Sequence, residues 1–159
     1  MSMERVPITV EGHLRLETEL QRLKGEERPR IIAQISEARA HGDLSENAEY
    51  HAAKEQQGLN EARVSDFEDK LSRADVVDPA KMSGNTVKFG ATVHLHDEDT
   101  DEKVKYKIVG ELEANVRDGK VSIASPIARA LIGKAKGETA EVTTPKGSKS
   151  YEIIKIEWK

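Results

Sequence analysis

Apolar residues at Leu16, Leu20, Leu23, Ile31, Ile35 and Ala38 recur at steps of four and three, and they keep that phase past the interruption at Glu27. They form one narrow helical stripe, which a single helix cannot bury by itself. A second stripe runs through Tyr50, Ala53, Gln57, Val64, Phe67, Leu71 and Ala74, with only a short connection between the two. The pairing predicts an antiparallel coiled-coil hairpin. Thr9 is the expected N-cap of the first arm, with Glu11 well placed in the first turn. Pro29 removes one helical hydrogen bond and Gly25 weakens the same region, yet the stripe keeps its phase, so the arm should be kinked rather than broken. From Thr9 to Ala40 a rise of 1.5 Å per residue implies a rod of about 45–50 Å, longer than a small domain is wide. The far end should therefore protrude.

That end is the run His41-Gly42-Asp43-Leu44-Ser45-Glu46-Asn47-Ala48-Glu49-Tyr50. Glycine followed by an acidic, Asn-containing stretch predicts a chain reversal and a new helix. Asp43 and Glu46 stand three residues apart. At a helix start this places both on one face, with about 5–6 Å between Cβ atoms, close enough to share one divalent ion. The same spacing is also a capping box, worth about 1 kcal/mol and requiring no chemistry. Spacing alone leaves both readings open.

Charge narrows the choice of partner. Residues 1–78 carry 11 Lys and Arg against 17 Asp and Glu, a net of −6, while residues 79–159 carry 14 against 12, a net of +2. A protein that grips free nucleic acid by its phosphates needs a basic face, so any nucleic acid met here should already be held by something else. Cysteine is absent, which excludes a disulfide framework and a thiolate zinc site. His13, His41, His51, His94 and His96 show no HExxH spacing, and no carboxylate can be assigned beside His94 and His96, which argues against a zinc site. No apolar run approaches membrane-spanning length, and the first eight residues lack a signal-peptide pattern, so a cytoplasmic protein with no membrane contact is expected.

Asp78-Pro79 should end the second arm, with Ser83, Gly84 and Asn85 as turn residues. From Thr86 the period changes to two. Val87, Phe89, Ala91, Val93 and Leu95 alternate with polar residues, and Val104, Tyr106 and Ile108 alternate with lysines, which predicts a hairpin across an acidic turn. Ser125 as N-cap, Pro126 at the first position and Gly133 at the end predict a short helix. Two further strands, around Thr139–Thr143 and Tyr151–Trp158, flank a Pro145-Lys146-Gly147 turn. The fold class is α+β: a coiled-coil hairpin over 1–78, then a small antiparallel sheet with one short helix over 79–159.

Three runs carry a resemblance that extends nearly end to end. They are residues 41–58 on the hairpin, Phe89-Gly90-Ala91-Thr92-Val93 on a strand, and Ser125-Pro126-Ile127-Ala128-Arg129-Ala130-Leu131-Ile132-Gly133. The chain resembles the GreA/GreB family of bacterial transcript-cleavage elongation factors. That resemblance implies an FKBP-like second domain and a monomer that docks on RNA polymerase at the rim of its secondary channel. The coiled coil would reach down the channel, where Asp43 and Glu46 help hold Mg²⁺ while the polymerase cuts its own backtracked RNA. It further implies that Arg39 and Lys54 form a basic patch for the RNA 3′ segment, and that Ser125, Pro126, Ile127 and Arg129 contact polymerase. Ser45 departs from the pattern, since relatives commonly carry Lys there.

Mg²⁺ wants near-octahedral oxygen ligands, so two carboxylates fill only part of its shell and should bind it poorly alone. Polymerase and RNA must supply the rest, making the chain an accessory factor rather than an enzyme. Two other functions remain in view. A regulator of the same fold could occupy the channel and inhibit without cleavage, although the Asp-Leu-x-Glu-Asn-Ala-Glu-Tyr pattern favours cleavage. A prolyl isomerase would need an aromatic-lined pocket, and residues 79–159 hold only Phe89, Tyr106, Tyr151 and Trp158.

Overall fold

A computed structural model describes residues 4–43 and 47–159. They form two compact units, the first comprising residue 4 with 13–43 and 47–74, the second 5–12 and 75–159. Residues 5–12 and 75–78, which the sequence reading grouped with the hairpin, thus belong to the second unit.

In the first unit the leading arm is an unbroken helical path. Helix α1 (Val10–Arg22) passes through a π-helical turn (Leu23–Glu27) into α2 (Arg28–Arg39). Within the π turn the Arg28 N–H reaches back five residues to the Leu23 carbonyl. Proline cannot donate to the residue four back and its ring crowds that carbonyl, so the break in the ladder falls where Pro29 needs one. Leu16, Leu23, Ile31 and Ala38 are buried, and Leu20 and Ile35 half-buried, as the stripe requires. The returning arm is α3 (Ala48–Ser72), which buries Ala53, Asn60 and Val64. Asn60 sits in the gap of the apolar stripe and donates from its amide to the Leu23 carbonyl at 3.2 Å.

The second arm ends at Ser72, earlier than Asp78-Pro79 suggested. Ala74–Val77 is a strand, β2, paired with β1 (Val6–Thr9). A β-branched Val-Val pair with a backbone partner prefers extended geometry to one more helical turn.

The second unit is built on a five-stranded sheet in the order β5-β4-β3-β7-β6, from β3 (Ala91–Asp97), β4 (Lys103–Val109), β5 (Lys120–Ser122), β6 (Thr139–Thr144) and β7 (Gly147–Trp158). The strand expected from Thr86 begins only at Ala91. Val87 is nonetheless fully buried, its N–H bonded to the Lys134 carbonyl. All pairs are antiparallel except β4 with β5, a parallel pair that the sequence did not suggest. A parallel neighbour needs a crossover, and residues 110–119 supply it with two short 3-10 turns. Helix α4 (Pro126–Leu131) covers one face, with Ala128 and Leu131 completing a core of Val93, Leu95, Ile108 and Ile153. Phe89, Tyr106 and Trp158 pack against this core and Tyr151 lies in it, so all four aromatic residues of 79–159 serve packing.

Glu113 in the crossover fastens the N-terminal segment to the sheet. Its carboxylate accepts from the Thr9 and Gly110 N–H groups at 3.0 and 2.9 Å and from the Thr9 hydroxyl. Thr9 in turn caps α1, its Oγ1 accepting from Gly12 N–H at 3.1 Å.

Candidate functional site

The chain reverses between Ala40 and Asn47. Gly42 takes φ of +109°, a left-handed conformation that lets the backbone leave α2, and its N–H bonds to the Arg39 carbonyl. Asp43 is exposed and lies outside any helix. Helix α3 begins five residues later, and its N-cap is Asn47, whose Oδ1 accepts from Tyr50 N–H at 3.0 Å. The capping-box alternative for Asp43 and Glu46 is therefore corrected: Asn47 caps α3, and the idea that helical geometry sets both acids on one face does not apply to Asp43. Glu46, with Leu44 and Ser45, lies outside the described residues. Among the described residues no group of three His, Cys, Asp or Glu side chains converges to hold a metal ion. Asp43 and Glu46 offer hard carboxylate oxygens, which suit Mg²⁺ in kind but fill only part of its shell.

Charge along the hairpin is unevenly committed. Around the π turn every arginine is tied to a carboxylate. Arg22 bridges Glu19 and Glu27, Arg30 meets Glu27 at 2.6 Å, and Arg28 grips Glu61 with two bonds of 2.8 and 2.9 Å. These guanidinium partners hold the carboxyls of Glu19, Glu27 and Glu61 below the ordinary glutamate range. Toward the tip the pattern changes. Arg39 and Lys54 are both exposed, and among the described residues neither is paired with a carboxylate; the Lys54 ammonium bonds only the neutral Gln57 side chain at 3.0 Å. No contact among the described residues joins Arg39 to Lys54.

The third group of expected site residues lies on α4. Ser125 caps it, accepting from Ala128 N–H at 3.3 Å while donating to the Ser122 carbonyl at 2.6 Å. Pro126 opens the helix and is exposed, as is Arg129, whereas Ser125 and Ile127 are half-buried and Ile127 packs on the core. Ile132, one residue beyond the helix, is 39% exposed, so a small apolar rim flanks Arg129.

Both parts of the chain match a known family. Residues 6–76 match the family described as "Transcription elongation factor, N-terminal", and residues 82–158 match "Transcription elongation factor, GreA/GreB, C-term". Over 157 residues the chain is 60% identical to a transcription elongation factor GreA of Nitrobacter winogradskyi, covering 99% of both chains. It is 62% identical over 156 residues to the GreA of Phenylobacterium zucineum, covering 98% of this chain and 99% of that one. The chain belongs to the GreA/GreB family of transcription elongation factors. Among solved structures it is similar to GreA factor homolog 1 of Thermus thermophilus, with 31% identity, coverage of 97% and 99%, and a TM-score of 0.45.

Three features of this GreA/GreB-family chain escaped the sequence. Asn60 reads as a polar gap and Asn47 as part of the turn signal, and only the paired arms reveal the carbonyls they serve. The histidines on the sheet do have acidic neighbours. His94 Nε2 contacts Glu157 on β7, and His96 Nε2 meets Asp101 at 2.5 Å. Register supplies the first of these, because β3 pairs with β7 and sets Thr92 opposite Glu157. No described helix is long and apolar enough to cross a membrane.

Proposed function

We propose that this chain binds bacterial RNA polymerase, inserts its hairpin into the secondary channel and stimulates the polymerase's own Mg²⁺-dependent cleavage of backtracked RNA, rescuing arrested complexes. The observation that carries the reading is the exposed Asp43, which lies outside any helix, together with Arg39 and Lys54, exposed cations that among the described residues have no carboxylate partner, whereas the arginines around the π turn are all paired.

Each group then has a part. Asp43 and Glu46 would contribute two oxygen ligands to a Mg²⁺ whose remaining ligands come from polymerase and RNA. When bound there, the ion stabilises charge on the oxygens of the cut phosphodiester and lowers the pKa of an attacking water. Arg39 and Lys54, uncommitted to carboxylates, suit the phosphates of the extruded 3′ segment. Pro126, Ile127 and Arg129, oriented by the Ser125 cap, would dock on the channel rim. The chain acts as an accessory factor in the cytoplasm, with catalysis residing in the polymerase.

The test is a backtracked elongation complex carrying labelled RNA. The chain should accelerate release of the 3′ segment in the presence of Mg²⁺ and restore elongation. Slowed elongation without any cleavage would instead mark a channel-binding inhibitor.

A further inference from the structure

We infer that Asn47 is a positioning residue for the acidic tip: its one amide fixes both ends of the turn that carries Asp43. This inference rests on the function proposed above and deepens it.

The geometry is specific to an amide. Oδ1 of Asn47 accepts from Tyr50 N–H at 3.0 Å, while Nδ2 donates to the Ala38 carbonyl at 2.6 Å. The first bond satisfies one of the orphan donors at the start of α3, and the second serves an orphan acceptor in the last turn of α2. Ala38 also receives His41 N–H at 3.1 Å, so its carbonyl is the common post for the end of α2 and the start of α3. Ala38 itself is 3% exposed, wedged in the hairpin seam, and cannot drift. A side-chain bond thereby ties the start of α3 to the last turn of α2, with Asp43 between the tied residues in sequence.

No other common cap can do both tasks. Aspartate, serine and threonine accept from the helix as well as asparagine does, yet aspartate has no N–H to give and the hydroxyls are too short to do both. An ordinary N-cap position would tolerate all three. The structure therefore separates a capping role, which aspartate preserves, from a tying role, which it abolishes. An aspartate would moreover set a carboxylate oxygen against the Ala38 carbonyl oxygen, breaking the tie.

A ligand side chain held in place loses little freedom on meeting the ion, whereas a loose one must be ordered first, and positional errors near 1 Å can cost about 10²-fold in rate. Asn47→Asp should accordingly fold and bind polymerase like the wild type, but show stimulated cleavage slowed about tenfold and half-saturated at a higher Mg²⁺ concentration. Asn47→Ser should behave similarly, and Asn47→Ala should in addition lower thermal stability. A merely structural cap would leave the Mg²⁺ dependence of Asn47→Asp at the wild-type value, and that result overturns the inference.

A second measurement needs no polymerase. In the free protein, the backbone amides of Gly42 and Asp43 should show a lower heteronuclear NOE in Asn47→Asp than in wild type; unchanged values also overturn the inference. Failure of the proposed function itself has a different signature, because wild type and Asp43→Ala would then be equally unable to stimulate cleavage while the NOE difference persists.

Discussion

Gly12 and Gly58 both lie in helices, yet replacing each with alanine should move stability in opposite directions. Nothing lies within 4 Å of a Cβ built on Gly58, so Gly58→Ala should stabilise by about 0.5–1 kcal/mol through the smaller entropy of the unfolded chain. A Cβ on Gly12 would sit 2.1 Å from Oε1 of Glu113. The carboxylate must swing away and leave the Thr9 and Gly110 N–H groups without their acceptor, a cost of about 1–3 kcal/mol that outweighs the helix gain of about 1. Urea unfolding of the two variants reads the sign directly. In the second unit, Glu157 and Asp97 contribute acid sensitivity. Contact with His94, and then the nearby Lys155 and Lys159, holds the Glu157 carboxyl below the usual glutamate range. Burial pushes Asp97 up, but the Asp99 and Thr100 N–H groups and the Lys149 ammonium outweigh it and hold it low. A depressed carboxyl contributes stability that is present above its unfolded value near 4 and fades as pH falls through the folded value. Glu157→Gln should thus lower Tm at pH 7, and the gap to wild type should close below about pH 4.

At the scale of elements, two asparagines set the register of the hairpin. Asn60 ties α3 to the π turn at Leu23, and Asn47 ties its start to Ala38. A single buried amide in an apolar seam specifies pairing at some expense of stability. Asn60→Leu leaves the Leu23 carbonyl still accepting from Arg28 N–H, so Tm should hold or rise by a few degrees. The less specified seam should self-associate, visible by sedimentation as species heavier than wild type. Neither role was legible in the sequence, because Asn60 reads as a gap in the stripe, and Asn47 as a turn residue, until the opposite arm is in view. The stripes themselves were legible, since period 3.6 needs only local spacing. The strand β5 was not, being three residues whose partner strand is a parallel one reached across a crossover. Nor was β2, where a local helical pattern through Ala74 lost to pairing with β1. The candidate site divides the same way: the acids near the turn were read from residue type and spacing and the cations from the family resemblance, whereas the place where α3 begins depended on which side chain could reach Tyr50 N–H.

For the whole molecule, both units belong to one family, with relatives about 60% identical across nearly the entire chain. The acidic hairpin and the weakly basic sheet unit suit a factor that recognises a protein assembly already holding nucleic acid, rather than nucleic acid itself. Under the proposed function its tip would contribute an incomplete ligand set, to be completed by another macromolecule. That claim is tested most directly by the rate of RNA cleavage in a backtracked elongation complex saturated with Asp43→Ala, with polymerase affinity measured alongside. Affinity should match that of the wild type, while stimulated cleavage falls by about 10²-fold, as expected for loss of a group that stabilises the transition state. Cleavage at the wild-type rate by the bound variant would show that the tip carboxylate takes no part in the chemistry.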